Sequence, residues 1–167
     1  SVIGSFLTHD DETTLIDQGG PAYSNLVAGL MAFQPFTNPY IVDGFSTGYT
    51  HKPDIFNYRK QPRGNHPEVA TFMSRVMQLR RQYQDVVSHG SFEPVTLSGE
   101  YNNQIIAFKR VLNGKTLLIV ANKDANSRHT ADLQLAGLKN KAQMKPITPS
   151  YGQPSLFDVQ TPGTLNV

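Results

Sequence analysis

The sequence predicts an α/β segment followed by an all-β domain, and three observations support this prediction. Up to about residue 90, apolar runs alternate with segments whose apolar residues recur every three or four positions, as in helices that cover a parallel sheet. Beyond that point the helical period disappears, and short strand-like segments are separated by turn residues. Two of these segments flank Asn113-Gly114, a dipeptide that strongly favours a two-residue hairpin. The predicted domains are residues 1–91 and 92–167.

The first half begins with an apolar run over residues 2–7, which predicts a buried strand because it contains β-branched and aromatic side chains. A helix is predicted over residues 21–33, since Leu26, Leu30 and Phe33 lie on one face at helical spacing. The proline at its first position suits the start of a helix, where the backbone N–H has no intrahelical partner.

A second strand is predicted over residues 39–42, where a short apolar segment ends at an Asp-Gly pair. The clearest helix follows over residues 67–88, with apolar residues at three- and four-residue spacing along its length. Pro67 suits its first turn, and Gly90 suits the position just beyond its end. The order strand, helix, strand, helix is typical of parallel α/β architecture.

The second half is predicted to consist of strands only. Residues 104–111 and 116–121 form the two arms of the predicted hairpin, whose type I′ turn needs positive φ at both central residues. Further short strand-like segments lie at 130–135, 142–145, 156–159 and 164–167. Short strands separated by turn residues at this spacing favour an antiparallel β-sandwich.

Composition and charge exclude several classes of function. The chain has 167 residues and a net charge of +2, and its basic residues are scattered along the sequence. No basic stripe is interleaved with aromatic residues, so we predict no nucleic-acid partner. No apolar run reaches membrane-spanning length, so we predict no membrane partner. The absence of cysteine excludes disulfides and thiol catalysis, and it leaves the compartment undecided.

The densest cluster of reactive side chains follows the first predicted strand, where His9, Asp10, Asp11 and Glu12 are consecutive. In parallel α/β proteins, catalytic groups gather at the carboxyl ends of the strands, and adjacent carboxylates shift each other's pKa. Two other interpretations stay open on spacing alone. Asp10 or Asp11 could cap the following turn, and His9, Asp10 and Glu12 could bind a metal. Because that spacing matches no standard ligand motif, we predict no metal and no cofactor.

The residues Phe6-Leu7-Thr8-His9-Asp10 resemble the fourth signature region of the α-amylase family of glycoside hydrolases and transglycosylases, in which an apolar strand ends in Asn-His-Asp. The order of the later predicted elements is also similar to that family. There it corresponds to strand 7, helix 7, strand 8 and helix 8 of a (β/α)8 barrel, followed by a C-terminal sandwich. The resemblance implies a partial (β/α)8 barrel segment followed by an antiparallel β-sandwich.

The resemblance also implies roles for individual residues. Asp10 matches the family's transition-state-stabilising aspartate, and His9 matches the histidine that hydrogen-bonds the sugar where cleavage occurs. A fixed anion beside an oxocarbenium-like transition state stabilises the positive charge that develops there. Thr8 stands where the family has Asn. The implied ligand is an α-glucan or oligosaccharide. Separately, Tyr49 is a candidate for stacking on a sugar ring, although loop tyrosines also fill partial cores.

Two of the family's catalytic residues, the nucleophilic aspartate and the acid/base glutamate of earlier barrel strands, have no match in this sequence. A retaining glycosidase needs both, and a (β/α)8 barrel takes eight strands and about 250 residues. We therefore expect the chain to be the C-terminal part of a longer enzyme, inactive alone, whose partner is the remainder of the barrel or a second copy. The alternative is a non-catalytic carbohydrate-binding or structural module that keeps the same architecture.

Overall fold

The chain forms two compact units, Ser1–Gln84 and Asp85–Val167. The computed structural model describes the following residues, with the backbone alone for the first and last ranges: 3–6, 14–42, 44–50, 64, 66–124, 126–135 and 164–166. The division between these units lies at residues 84 and 85, a few residues before the predicted domain boundary at residues 91 and 92. That boundary stays a prediction. No helix in the described ranges is long and apolar enough to cross a bilayer.

The first unit contains a strand–helix–strand element with parallel strands, as the alternating pattern predicted. Strand β1 (Ile3–Phe6) pairs with strand β2 (Thr37–Tyr40), and helix α1 (Leu15–Phe33) connects them. The register joins Ile3 to Thr37 and Phe6 to Tyr40. Because both strands run in the same direction, their carboxyl ends lie at one edge of the sheet.

Helix α1 starts earlier than the predicted residue 21 and is broken near its start. The side-chain oxygen of Thr14 caps the first turn by accepting the Asp17 N–H at 3.3 Å. Gly19 and Gly20 then leave the helical conformation, with φ of 74° at Gly20. An αL-region φ is accessible to glycine at little cost, so the chain turns here before Pro21 restarts the helix. The predicted helix from residue 21 to Phe33 is the longer part of α1.

The carboxyl end of α1 is held by side chains from β2 and from the next helix. The Thr37 hydroxyl lies 3.1 Å from the Met31 carbonyl oxygen and 3.0 Å from that of Gln34. The Arg80 guanidinium donates to the Ala32 carbonyl and, at 3.0 Å, to the Thr37 carbonyl. Partial burial lowers the pKa of Arg80 from its ordinary value. Carbonyls that a helix end leaves without partners are thus satisfied, which fixes α1 against β2.

The predicted helix over residues 67–88 is two helices, α2 (Pro67–Gln82) and α3 (Gln84–His89). Tyr83 separates them, with φ of −113° and ψ of 27°. The Asp85 carboxylate accepts the Val86 N–H at 2.9 Å. Aspartate side chains compete for backbone donors in this way, and so favour helix starts over helix interiors. The apolar spacing of the sequence continues through Tyr83, so it could not indicate the break.

The core of the first unit lies between α1, α2 and the turn that follows β2. A short 3₁₀ helix, Phe45–Thr47, forms part of that turn. The buried core residues come from all three segments and are Leu15, Ala28, Met31, Phe45, Tyr49 and Met73. Helix α2 contributes a face at the predicted three- and four-residue spacing, where Val69, Met73 and Val76 are buried. This packing holds the residues after β2 against the two helices.

The second unit contains two antiparallel sheets, with strand orders β3-β5-β6 and β4-β7-β8. The strands are β3 (Ser91–Pro94), β4 (Thr96–Ser98), β5 (Ile105–Leu112), β6 (Lys115–Asn122), β7 (Thr130–Gln134) and β8 (Thr164–Asn166). The predicted hairpin joins β5 to β6, and Asn113 and Gly114 have φ of 49° and 77°. The predicted strands at 142–145 and 156–159 lie outside the described residues.

Strands β3 and β4 have no counterpart among the predicted elements. Strand β3 ends in Pro94, and β4 has only three residues. Proline cannot donate to a β ladder and is tolerated on edge strands, which is where β3 lies. A segment of three or four residues is too short for period-2 alternation to stand out from its surroundings.

Two buried features hold the second unit together. An apolar cluster takes residues from strands of both sheets, and its members are Val95, Leu97, Ala107, Leu118, Val120, Leu133 and Leu135. The Arg110 side chain is only 1% exposed. Its guanidinium donates to the Ser91 carbonyl at 3.1 Å and to the Gly90 carbonyl at 2.8 Å. Gly90 follows α3 directly, so this buried cation lies at the negative end of that helix.

Candidate functional site

We take the sheet edge at which β1 and β2 end as the candidate site, because the reactive cluster predicted from the sequence begins at His9, three positions after the last residue of β1. Asp10 and His9 lie outside the described residues, as do Asp11 and Glu12. The described chain ends with β1 at Phe6 and resumes at Thr14, which is 2% exposed and caps α1. The next residue, Leu15, belongs to the core. Two buried residues at the start of α1, Thr14 and Leu15, therefore follow the segment that contains the candidate catalytic residues.

The chain that leaves β2 forms a compact turn, Gly44 to Tyr49, which we call the edge turn. Gly44 and Gly48 lie on either side of the 3₁₀ helix and have φ of 87° and 69°. The Phe45 N–H donates to the Val42 carbonyl at 3.1 Å, and the Tyr49 N–H donates to the Gly44 carbonyl at 3.2 Å. Both αL positions are occupied by the residue that adopts them at little steric cost. The edge turn is thus closed by its own backbone.

Tyr49, the candidate for stacking on a sugar, lies in the core of the first unit. Its side chain is 2% exposed, and it belongs to the same buried cluster as Phe45 and Met73. In this arrangement its ring offers little open surface to a ligand, which is the packing role that loop tyrosines often take. A substrate-binding role for Tyr49 stays a prediction.

A histidine–glutamate pair lies beside the edge turn, at the start of α2. His66 Nδ1 and Glu68 Oε1 are 2.9 Å apart, and both side chains are partly exposed. The hydrogen bond from His66 lowers the pKa of Glu68 from its ordinary value. The His66 N–H also donates to the Thr47 carbonyl at 3.3 Å. This pair was not predicted from the sequence, although His66 and Glu68 stand on either side of Pro67, which the sequence places in the first turn of a helix.

A second cluster of polar and aromatic side chains lies in the second unit. His129 Nε2 is 2.8 Å from Asp124 Oδ2, and the His129 and Tyr101 rings are 4.7 Å apart. The pKa of Asp124 is lowered, first because its carboxylate accepts the Asn126 N–H at 2.8 Å and then because it bonds His129. Tyr101 lies before β5, whereas Asp124 and His129 lie between β6 and β7. Their contact depends on how the strands bring these two loops together, so no local sequence pattern indicates it.

Because the pKa of Asp124 is lowered in the folded chain, we expect the stability of the chain to depend on pH through this carboxylate. We expect Asp124→Asn to lower stability near neutral pH and to have a smaller effect as the pH falls. A carboxyl group whose folded pKa is depressed stabilises the fold above its unfolded pKa of about 3.9, and the contribution is lost as the pH falls through the folded value. Urea unfolding of both proteins between about pH 7 and pH 3 measures this.

The control for this experiment is Glu100→Gln, the same kind of change at an exposed position. Its effect on the free energy of unfolding should be small at every pH. An Asp124→Asn effect that keeps the same size from neutral to acid pH would show that the charge of Asp124 does not stabilise the fold.

Metal-binding groups do not cluster in the described part of the chain. There, no three His, Asp or Glu side chains come close enough together to hold a metal ion. The alternative metal site of His9, Asp10 and Glu12 lies outside the described residues.

Comparison with known proteins finds similar solved structures but no match by sequence. No protein-family model matches the chain, and no curated protein matches its sequence. A noncanonic maltogenic alpha-amylase, AmyB from Thermotoga neapolitana, is similar over 84% of this chain and 33% of its own, with a TM-score of 0.68 at 14% identity. The native form of the Nostoc punctiforme debranching enzyme is similar over 99% of this chain and 33% of its own, with a TM-score of 0.69 at 19% identity.

A third structure, the gamma-CGTase from alkalophilic Bacillus clarkii, is similar over 76% of this chain and 18% of its own, with a TM-score of 0.53 at 20% identity. At these identities the likeness is one of fold. The chain spans 33% of the length of the amylase and of the native debranching enzyme, as expected for part of a longer protein. The resemblance noted in the sequence is thus confirmed at the level of the fold: the chain has the architecture of part of an α-amylase-family enzyme.

Proposed function

We propose that this chain is the C-terminal part of a retaining glycoside hydrolase or transglycosylase that acts on α-glucosidic bonds. In this proposal Asp10 stabilises the transition state and His9 hydrogen-bonds the sugar. The observation that supports it is the parallel β1–α1–β2 element, because His9 and Asp10 come after β1 in the sequence and the carboxyl end of such a strand is where α/β enzymes place catalytic groups. The names of the similar structures, a maltogenic amylase, a debranching enzyme and a CGTase, favour an α-glucan as substrate.

The proposed chemistry divides the catalytic groups between this chain and the rest of the enzyme. In a retaining mechanism one carboxylate attacks the anomeric carbon while an acid protonates the leaving oxygen, and water or an acceptor sugar later takes the glycosyl group. These two groups would come from earlier strands. Asp10 would supply a fixed negative charge beside the oxocarbenium-like sugar, and His9 would hold a sugar hydroxyl in place.

We propose the finer architecture on the same grounds. Residues 1–91 would be the last two βα units of a (β/α)8 barrel, and residues 92–167 a β-sandwich. In the described part of the chain, β1 and β2 form a two-stranded sheet, and a strand edge left unpaired invites a further strand. The remainder of the barrel would provide it, and a second copy of the chain is the alternative. The apolar cluster shared by both sheets supports the sandwich.

The proposal predicts that the isolated chain has no measurable glycosidase activity, while the full-length enzyme does. Loss of one member of a cooperating catalytic set lowers kcat by about four to six orders of magnitude, and here two members are expected to be missing. The measurement is release of reducing sugar from starch and of nitrophenol from a nitrophenyl α-glucoside. Hydrolysis that co-purifies with the isolated chain would contradict the proposal. A full-length enzyme without activity would favour the alternative of a non-catalytic module.

A further inference from the structure

Two backbone segments of the first unit meet at a contact that leaves no room for a side chain. The backbone of Gly64 lies against the carbonyl groups of Thr47 and Gly48, so a Cβ on Gly64 would overlap them. Because the overlapped atoms belong to the backbone, no change of side-chain rotamer can relieve the overlap. The φ of Gly64 is not in the left-handed region, so the lack of space, and not the backbone conformation, requires glycine there.

A second pair of residues strengthens the same contact. The His66 N–H donates to the Thr47 carbonyl at 3.3 Å. A Cβ on Gly48 would lie 2.6 Å from the His66 Cβ, and the φ of Gly48 is 69°. We call the contact of Gly64 and His66 with Thr47 and Gly48 the glycine crossing. It consists of two close approaches and one hydrogen bond.

The edge turn is held at two places, by the core and by the glycine crossing. Phe45 and Tyr49 point into the core and are 3% and 2% exposed. Between them, Thr47 and Gly48 contact Gly64 and His66. A methyl group added at Gly64 must therefore displace either the edge turn or the chain at Gly64, and either displacement breaks the glycine crossing and leaves the edge turn held by the core alone.

We propose that the glycine crossing positions the edge turn for substrate binding, and that Gly64 is a positioning residue of the site. The inference rests on the proposed function, since the edge turn follows β2 at the strand ends where an α-glucan would bind. Gly64 contacts no substrate in this proposal and acts through Thr47 and Gly48. A displacement of about 1 Å in groups that position a substrate can cost up to about 100-fold in rate.

The test in the full-length enzyme compares Gly64→Ala with Gly29→Ala. A Cβ on Gly29, in α1, would lie 3.5 Å from the Phe72 ring, an ordinary contact, so this control adds the same methyl group without overlap. We expect Gly64→Ala to raise KM for maltoheptaose about tenfold with a smaller change in kcat, and Gly29→Ala to leave both within about twofold. Equal KM values for the two variants, measured well below both melting temperatures, would overturn the positioning role.

Gly48→Ala provides a second variant if Gly64→Ala does not fold. Its Cβ would meet the His66 Cβ, so removing that atom should relieve the overlap, while the strain of alanine at a φ of 69° remains in both backgrounds. We expect the KM increase of Gly48→Ala to shrink at least about threefold in a His66→Gly background, which is the coupling expected of residues in contact. Strictly additive effects on KM would overturn the inference.

A measurement on the 167-residue chain separates this inference from the proposed function. The Tyr49 N–H and the His66 N–H both take part in the edge turn and its crossing, at 3.2 Å and 3.3 Å from their acceptors. We expect both amides to exchange at least about tenfold faster in Gly64→Ala and at an unchanged rate in Gly29→Ala. Unchanged exchange would overturn the inference whatever the activity. Faster exchange with no α-glucan activity in the full-length wild-type enzyme would overturn the proposed function and the role in α-glucan binding, while the glycine crossing would still be what holds the edge turn.

Discussion

In the full-length enzyme, Asp10→Asn is expected to lower kcat by about 100-fold or more while KM stays within about threefold. Asparagine has nearly the shape of aspartate, so the bound geometry should survive while the negative charge is lost. A charge that acts on the developing oxocarbenium ion contributes to the transition state more than to the bound substrate, and its loss therefore falls on kcat. Steady-state kinetics on maltoheptaose measure both constants.

The matched control is Asp11→Asn, the same change on the adjacent residue, which the proposal assigns no catalytic role. It should keep kcat within about threefold of the wild-type value. His9→Ala should act mainly through KM, because it removes a hydrogen bond to the sugar. If Asp10→Asn and Asp11→Asn had equal kcat, Asp10 would not be the stabilising carboxylate. A large loss in Asp11→Asn alone would move the assignment to that residue.

The largest effect on stability is expected for Arg110→Met in the 167-residue chain. Methionine fills a similar volume and cannot donate, so the Gly90 and Ser91 carbonyls lose their buried charged donor. Hydrogen bonds to a charged group contribute about 1.5–3 kcal/mol each, so we expect a loss of about 3 kcal/mol when the buried guanidinium and its two bonds are removed. Urea unfolding followed by circular dichroism measures the change in the free energy of unfolding.

Arg128→Met makes the same chemical change at an exposed position and should alter stability by less than about 0.5 kcal/mol. Arg110→Lys keeps a positive charge and a donor but loses the planar fork, so we expect an intermediate loss. An Arg110→Met protein as stable as Arg128→Met would mean that water satisfies the two carbonyls as well as the guanidinium does.

The elements that the sequence predicted are those whose signals are local. The Asn113-Gly114 turn follows from the backbone conformation that those two residues tolerate, and the start of α2 follows from Pro67. The errors occurred where a contact between distant residues decides the structure. The short turn after Thr14 depends on burial of Leu15 in the core, which a helical pattern starting at residue 21 could not reveal.

At the candidate site, too, the sequence indicated residues that belong to a short local motif and did not indicate contacts between distant residues. His9 and Asp10 were proposed from one short motif, and they remain predictions because they lie outside the described residues. The glycine crossing was not predicted, because Gly64 is an unremarkable loop glycine until the fold brings it against Thr47 and Gly48. Likewise, the burial of Arg110 was not predicted, because its carbonyl partners Gly90 and Ser91 lie about twenty residues away in the sequence.

The strand order of the second unit also bears on how this unit assembles during folding. The β5–β6 hairpin joins residues that are close in sequence, with Leu112 opposite Lys115, and such hairpins form in about 1–10 μs. Strand β4 must instead reach β7 across the whole hairpin, pairing Thr96 with Gln134. A hairpin that forms first shortens the effective loop that this pairing closes, and thereby lowers its entropic cost. We therefore expect substitutions that weaken the two-residue turn at Asn113-Gly114 to slow the completion of the distant sheet as well.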